Sequence, residues 1–371
     1  MKKWNLTSTP ELVLDINQLS KNMKRMTESA KANGVRLRPH VKTHKSIEVA
    51  KKQLEEGADG LTVATLKEAE VFKRGGFRDI LMAYPLRNRE KISQFVALAD
   101  GIRLIATVDE LEQASRLNEE ANRQGQTIEV WVKINSGLNR CGVEPEEEAV
   151  NLVREITTMS SLDVTGLFTH AGHAYGAPSD KRRVEIANEE AQAVLLSAHA
   201  CEQAGYPIEH RSVGSTPTYE ISGRFEGITE VRPGNAVFFD GVQAGLGVCE
   251  LEECAVTVVA SVVSIKKDRV IVDAGSKALT LEKGAHGNDS VKGFGMIVEP
   301  TEHHGLTLTR LSEEHGIMDG TAQFPTDYVR IVPNHVCTAV NLYDHYVVVD
   351  GDTIVDKWSI DAKGFNTDSR S

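Results

Sequence analysis

Between residues 36 and 231 the chain repeats one alternation, a short apolar run followed by a longer amphipathic stretch. The apolar runs are RLRPHVK, GLTVA, DILMAY, IRLIATV, TIEVWVKI, VTGLFTH, EHRSVG and ITEVR, eight strand candidates in all. Between them, apolar residues recur at three- and four-residue steps over Ser46–Glu56, Leu66–Lys73, Asp109–Gln124, Pro145–Thr157 and Lys181–Ala204, which is the spacing of helices with one buried face. Strands separated by helices pair in parallel, because a connection of that length carries the chain back to the same end of the sheet. Eight such units predict an α/β fold of the (β/α)8 TIM barrel type, with a doubly wound open sheet as the alternative.

After Val237 the pattern changes. Ala255–Ile265, Arg269–Asp273, Thr307–Leu311, Asp327–Val332 and His345–Val349 read as strands separated by turns, a C-terminal β-rich domain. The expected division is an N-terminal segment at 1–25, a barrel at 26–236 and a β domain at 237–371. The strand Glu11–Ile16 in the first segment is expected to join the β domain. No internal repeat is visible, and Gly364–Ser371 is polar and expected to fray. A net charge of -11, without a long basic run, argues against a nucleic-acid partner and for a small-molecule one. No stretch has the length and apolarity of a spanning helix, so no membrane partner and a cytoplasmic location are expected. The five cysteines are an odd count with no tight spacing, the pattern of reduced thiols. Cys249, Cys254, the His303-His304 pair and the Glu146–Glu148 run after Pro145 read as ordinary structural features.

Four segments carry residues suited to chemistry. RPHVKTHKS puts Lys42 at the end of the first barrel strand, where burial can strip an ammonium of its proton and leave a nucleophilic amine. GLFTHAGHAYG places His170, His173 and Tyr175 just past the sixth strand. SVGSTPT, following the seventh strand, combines Gly214, Ser215 and Thr216 before a helix start, a setting in which backbone N–H groups hold a phosphate. PNHVCTAVNLYD sets His335 and Cys337 two residues apart; in an extended strand the two would share one face and converge on one metal ion, zinc before magnesium.

These segments, in this order, resemble the D-threonine aldolase and D-serine dehydratase group of fold-type III pyridoxal-phosphate enzymes, whose barrel is of the alanine racemase type. The resemblance runs from about Thr9 to Lys363. It implies that Lys42 carries pyridoxal 5'-phosphate, that Arg140 in KINSGLNRCGV approaches the cofactor's phenolate oxygen, and that His170 and Tyr175 lie beside the ring. It implies as well that Gly234 and Asn235 in VRPGNAVFFDG complete the phosphate cup and that Arg232 faces the pyridine nitrogen. Ala236 departs from the aromatic residue expected at its position. In the same group a His-x-Cys pair holds a divalent metal, here His335 and Cys337, zinc favoured and manganese or magnesium as alternatives. Glu313, Glu314 and His315 in LSEEHG are expected either to support the metal or a partner subunit's site, or to form a solvated turn. A homodimer is the family's habit.

The resemblance implies a metal-dependent lyase for small D-β-hydroxy amino acids, with Lys42 and His170 as catalytic residues. D-serine dehydratase is the first reading and D-threonine aldolase the second. A racemase is disfavoured, since the tyrosine signature of its second base is not recognisable. A non-catalytic carrier of the cofactor is disfavoured because such proteins lack a β domain.

Overall fold

The computed structural model describes residues 4, 6, 8–284, 290–320 and 324–364; most of the tail expected to fray, 365–371, lies outside them. The chain begins in β1 (Glu11–Asp15), and Asp15 also caps the helix α1 (Ile16–Ala32), accepting from Asn17 N at 2.9 Å and Gln18 N at 3.0 Å. Eight parallel strands follow: β2 (Arg36–Leu37), β3 (Leu61–Val63), β4 (Asp79–Met82), β5 (Arg103–Val108), β6 (Ile128–Lys133), β7 (Leu162–Phe168), β8 (His210–Val213) and β9 (Glu230–Val231). They pair in the order β2-β9-β8-β7-β6-β5-β4-β3, and a bridge between His40 and Thr62 joins the two ends into a barrel. The helices between them are α2 (Ile47–Glu56), α3 (Leu66–Arg74), α4 (Arg89–Ala99), α5 (Leu111–Arg123), α6 (Glu147–Thr157) and α7 (Asp180–Gln203). This is the expected barrel, with α1 and α4 as additions to the helices read from the sequence.

The interior of the barrel explains its closure. Leu81, Ile105, Trp131 and Phe168 point inward from four strands and form a layer sealed from solvent. Trp131 needs room, and Gly166 supplies it: a Cβ there would lie 2.9 Å from the indole ring and from His210. The indole N–H is satisfied by Glu129 at 3.1 Å and Thr165 at 3.0 Å.

The second sheet contains β10 (Val256–Ile265), β11 (Arg269–Val272), β12 (Met296–Glu299), β13 (Leu308–Leu311), β14 (Gly316–Asp319), β15 (Tyr328–Val332), β16 (His345–Asp350) and β17 (Thr353–Ser359). Its ninth described strand is β1, which lies between β10, antiparallel, and β16, parallel. The alternation in ELVLD accounts for this placement, with Val13 buried beside Val259, Val347 and Val349 on one face, and Leu12 and Leu14 turned toward the main core. This sheet sits at the end of the barrel that carries the functional segments. Tyr346 Oη donates to the His44 carbonyl at 2.7 Å, Ala362 N to the Lys45 carbonyl at 3.0 Å, and Ile47 N to Asp361 at 2.8 Å. The loop after the first barrel strand is therefore held from the β-sheet side. Among the described residues no helix is long and apolar enough to cross a membrane.

Candidate active site

A cavity of about 280 Å³ opens at the C-terminal ends of the barrel strands. It is lined by Lys42, Arg140, His170, Tyr175, Gly214, Ser215, Thr216, Arg232, Gly234 and Asn235 from the barrel side, and by His335 and Cys337 from the other. Segments spread over nearly three hundred positions of sequence thus meet in one space.

Lys42 lies in a turn just past the His40 bridge, beyond regular strand structure. Burial pulls its ammonium below the ordinary lysine value, with Arg140 and Arg232 acting in the same direction. His40 and His170 are pushed well below the usual histidine value, first by burial and then by Lys42, so both rings are neutral. His170 Nδ1 stands 3.4 Å from the Gly214 carbonyl, and donation there leaves Nε2 as an acceptor. The Tyr175 hydroxyl bonds to Thr216, and burial raises its pKa. Arg232 is buried over the Phe168 ring, 4.8 Å from its centroid, and donates to Ser212 Oγ, to the Val213 carbonyl at 3.4 Å and to the Thr169 carbonyl. Burial lowers its pKa to about 10. The glycines fit close approach: Gly214 has φ +118°, and a Cβ on Gly234 would come within 3.0 Å of His40 Cβ.

His335 and Cys337 are not on a strand. His335 precedes, and Cys337 belongs to, a short helix, Val336–Val340, so the period-two argument for their convergence is replaced by a helix start. They still interact side chain to side chain. His335 Nδ1 contacts Glu282 Oε1 at 2.7 Å, which fixes the ring and leaves Nε2 for another partner. Cys337 Sγ donates to Thr43 Oγ1 at 3.3 Å, one residue from Lys42. Burial opposes ionisation of the thiol, but His335, Thr43 and Lys42 outweigh it and bring the pKa below its usual value. Burial likewise opposes charge on His335, and Cys337, Glu282 and Asp240 outweigh it and raise the ring well above its usual value. Among the described residues no third histidine, cysteine or carboxylate joins the pair in a metal-binding group.

The alanine racemase N-terminal domain model matches residues 14–241, and a putative serine dehydratase domain model matches residues 255–349. The chain belongs to the alanine racemase-like family. It is 35% identical to D-threo-3-hydroxyaspartate dehydratase of Delftia sp. (strain HT23), over 94% of this chain and 96% of that one. The solved structure of the Delftia enzyme superposes with a TM-score of 0.90, covering 96% of this chain and 97% of that one. Variants of it have been solved with a cysteine replaced by alanine, in a metal-free form, and with the histidine two positions earlier replaced by alanine. The chain is also 30% identical to D-serine dehydratase of Dictyostelium discoideum, over 94% of each chain. D-threonine aldolase of Arthrobacter sp is 30% identical as well, over 96% of this chain and 93% of that one. These relatives are dehydratases and aldolases, pyridoxal-phosphate lyases, and this alanine racemase-like chain is an enzyme of that class.

Several residues of this alanine racemase-like site escaped the sequence reading. His40, Thr43, Ala83, Lys133 and Phe168 also line the cavity. His40 and Thr43 stand inside the segment that drew attention to Lys42, and Lys133 opens KINSGLNRCGV, so position at a strand end was the available signal. Glu190 had none: it lies within α7, fully buried, and accepts from Ala171 N at 3.1 Å, Gly214 N at 3.0 Å and Thr218 Oγ1 at 2.7 Å. It thereby ties the loop bearing His170 to the loop bearing Gly214. Of the LSEEHG residues, Glu313, Glu314 and His315 are exposed and absent from the cavity lining; Glu314 pairs with Lys277. Within the single chain that segment is an exposed turn.

Proposed function

We propose that the protein is a dehydratase of small D-β-hydroxy amino acids, holding pyridoxal 5'-phosphate on Lys42 and a divalent metal, zinc favoured, on His335 and Cys337. One observation carries the reading: the nucleophilic lysine and the His335–Cys337 pair border the same cavity, linked by the Cys337–Thr43 contact at 3.3 Å. The residues present fit both groups. Lys42, Lys133 and Arg232 are basic groups with no carboxylate at ion-pair distance among the described residues, which suits an anionic ligand, and a thiol beside an imidazole suits a borderline-soft cation. Gly214, Ser215, Thr216, Gly234 and Asn235 would seat the phosphate, Arg140 the phenolate oxygen, and Arg232 would face the ring nitrogen.

When bound, the cofactor supplies an electron sink for charge developing at the substrate's α-carbon, and the ion supplies Lewis acidity at its β-hydroxyl. Lys42 Nζ, whose protonated form burial disfavours, takes the α-proton. His170, neutral and anchored to Gly214, stacks beside the reacting groups without adding charge. Arg232 offers donors only, so it provides no acceptor for a ring proton. Elimination releases water, and hydrolysis of the resulting enamine gives a keto acid and ammonia.

The similarity to the Delftia and Dictyostelium dehydratases and the cysteine at position 337 support dehydration. The similarity to the Arthrobacter aldolase favours cleavage as the second reading, since a metal-bound hydroxyl serves either reaction. Product analysis with D-serine, D-threonine and D-threo-3-hydroxyaspartate decides. Keto acid plus ammonia is the expected result; glycine plus an aldehyde would assign the aldolase. Turnover of L-serine comparable with that of D-serine would overturn both.

A further inference from the structure

Asp240 is fully buried, yet it belongs to neither set of cavity-lining residues. Its carboxylate accepts three N–H donors from three segments. Asn235 Nδ2 reaches Oδ2 at 2.5 Å, the backbone N of Val336 reaches the same oxygen at 2.9 Å, and Gln243 N reaches Oδ1 at 3.0 Å. Asn235 sits in the loop proposed to seat the phosphate, beside Ala236, whose N–H donates to Thr216 Oγ1 at 3.0 Å. Val336 is the residue between His335 and Cys337. A single oxygen therefore fastens the cofactor-side loop to the backbone that orients the two metal-side ligands. The link is reinforced around it: Gly241 N donates to the Pro333 carbonyl and Val242 N to the Asn334 carbonyl, each at 3.0 Å, so the chain after Asp240 is laid along the chain before His335. Asn235 Nδ2 also lies 4.0 Å from Cys337 Sγ.

We infer that Asp240 is a positioning residue that makes the phosphate seat and the His335–Cys337 pair one mechanical unit, so that occupation of either site by its ligand raises affinity at the other. The inference rests on the assignment of both sites given above. Its physical basis is the exacting demand on this side chain. Val336 N and Gln243 N are backbone donors that cannot turn round, and they address different oxygens of Asp240. An asparagine in its place would set its own NH2 against one of them whichever way it is flipped, leaving a buried donor unsatisfied. Asn235 is constrained in the same manner: its Oδ1 is buried without a partner, so its amide is held through Nδ2 by Asp240. A ligand that orders Asn235 fixes Asp240, and Asp240 fixes Val336; the coupling is reciprocal by linkage.

The test measures zinc affinity of the full-length protein by competition with a chromogenic chelator, with and without pyridoxal phosphate, and pyridoxal phosphate affinity by its visible absorbance, with and without zinc. In the wild-type chain each ligand is expected to tighten the other by the same factor, about fivefold or more. Asp240→Asn is expected to bring both ratios close to one. Asn235→Ala breaks the same link while leaving the buried carboxylate and its backbone partners in place, so it decides the matter if Asp240→Asn fails to fold. Equal ratios in wild type and Asn235→Ala overturn the inference, as does a wild-type ratio of one, and in both cases the proposed function stands. Wild-type protein that takes up neither ligand overturns the functional reading and the inference with it.

Discussion

At the N-terminal ends of the barrel strands, Arg38 is wholly buried between Glu230 at 2.8 Å and Asp79 at 2.5 Å, and Arg103 bridges Asp79 at 3.0 Å and Glu129 at 2.7 Å. At the C-terminal ends, Lys42, Lys133 and Arg232 share a small space with no carboxylate in ion-pair range among the described residues. Identical chemistry produces opposite shifts. Paired with carboxylates, Arg38 is raised and, although burial opposes it, Asp79 is lowered; left unpaired, Lys42 and Arg232 are lowered by burial. Compensated charge at one end holds the strands in register, while uncompensated charge at the other is stability given up for reactivity. The two ends touch through Ser212, which receives a hydrogen bond from Arg232 and gives one to Glu230 at 2.8 Å.

Four substitutions or conditions would break or sharpen this contrast. Lys42→Ala is expected to abolish the borohydride-trapped cofactor adduct and to cut turnover by about 10⁴-fold or more, with no loss of thermal stability, since it removes a buried amine that has no carboxylate partner. Mass spectrometry of the trapped protein checks it, and an adduct surviving on Lys45 would show the cofactor segment to be misregistered. Glu282→Gln is expected to weaken zinc binding by about 10- to 100-fold through loss of the charge behind His335, with cofactor absorbance unchanged at saturating pyridoxal phosphate. Metal analysis after dialysis reads this out, and unaltered zinc retention would remove Glu282 from the site.

Asp79→Asn tests the opposite end. It leaves Arg38 with one partner and should cost about 3 kcal/mol in denaturant unfolding while sparing kcat. A drop in turnover at constant stability would mean that the two ends are not separable. The pH dependence has a definite sign: Asp79 and Glu129 are lowered from 3.8 and 4.5, so their stabilisation is complete above those values and disappears as pH falls through the depressed folded values. Unfolding midpoints are expected to be flat from neutrality down to the ordinary carboxylate range and to fall below it, with a shallower fall in Asp79→Asn. A loss of stability already under way near neutrality would point to another group.

The barrel was legible because each of its units carries its own periodicity, and the cofactor segments because their residues are contiguous. α1 was missed because its buried stripe of Leu19, Met23, Met26 and Ala30 is interrupted by the buried polar residues Asn22 and Thr27. β17 was missed for a different reason: nearly every residue in it is exposed, so no alternation marks it. His335 and Cys337 were found by residue type, but their local structure was misjudged, since a helix only five residues long carries no periodicity to read. Asp240, Glu190 and Glu282 left no trace in the pattern. A buried carboxylate that joins distant backbone segments is defined by partners that only folding brings together.

The position of β1 has a consequence for biosynthesis. Its residues Val13–Asp15 pair with Val347–Val349, so the strand is made more than three hundred positions before the neighbour on that edge and must wait for it. Until then its apolar edge is open to any other extended segment, in this chain or the next. Shortening the chain before His345 would therefore do more than delete an edge of the second sheet. It would leave β1 paired with β10 alone, its other edge permanently open, and the product is expected to aggregate.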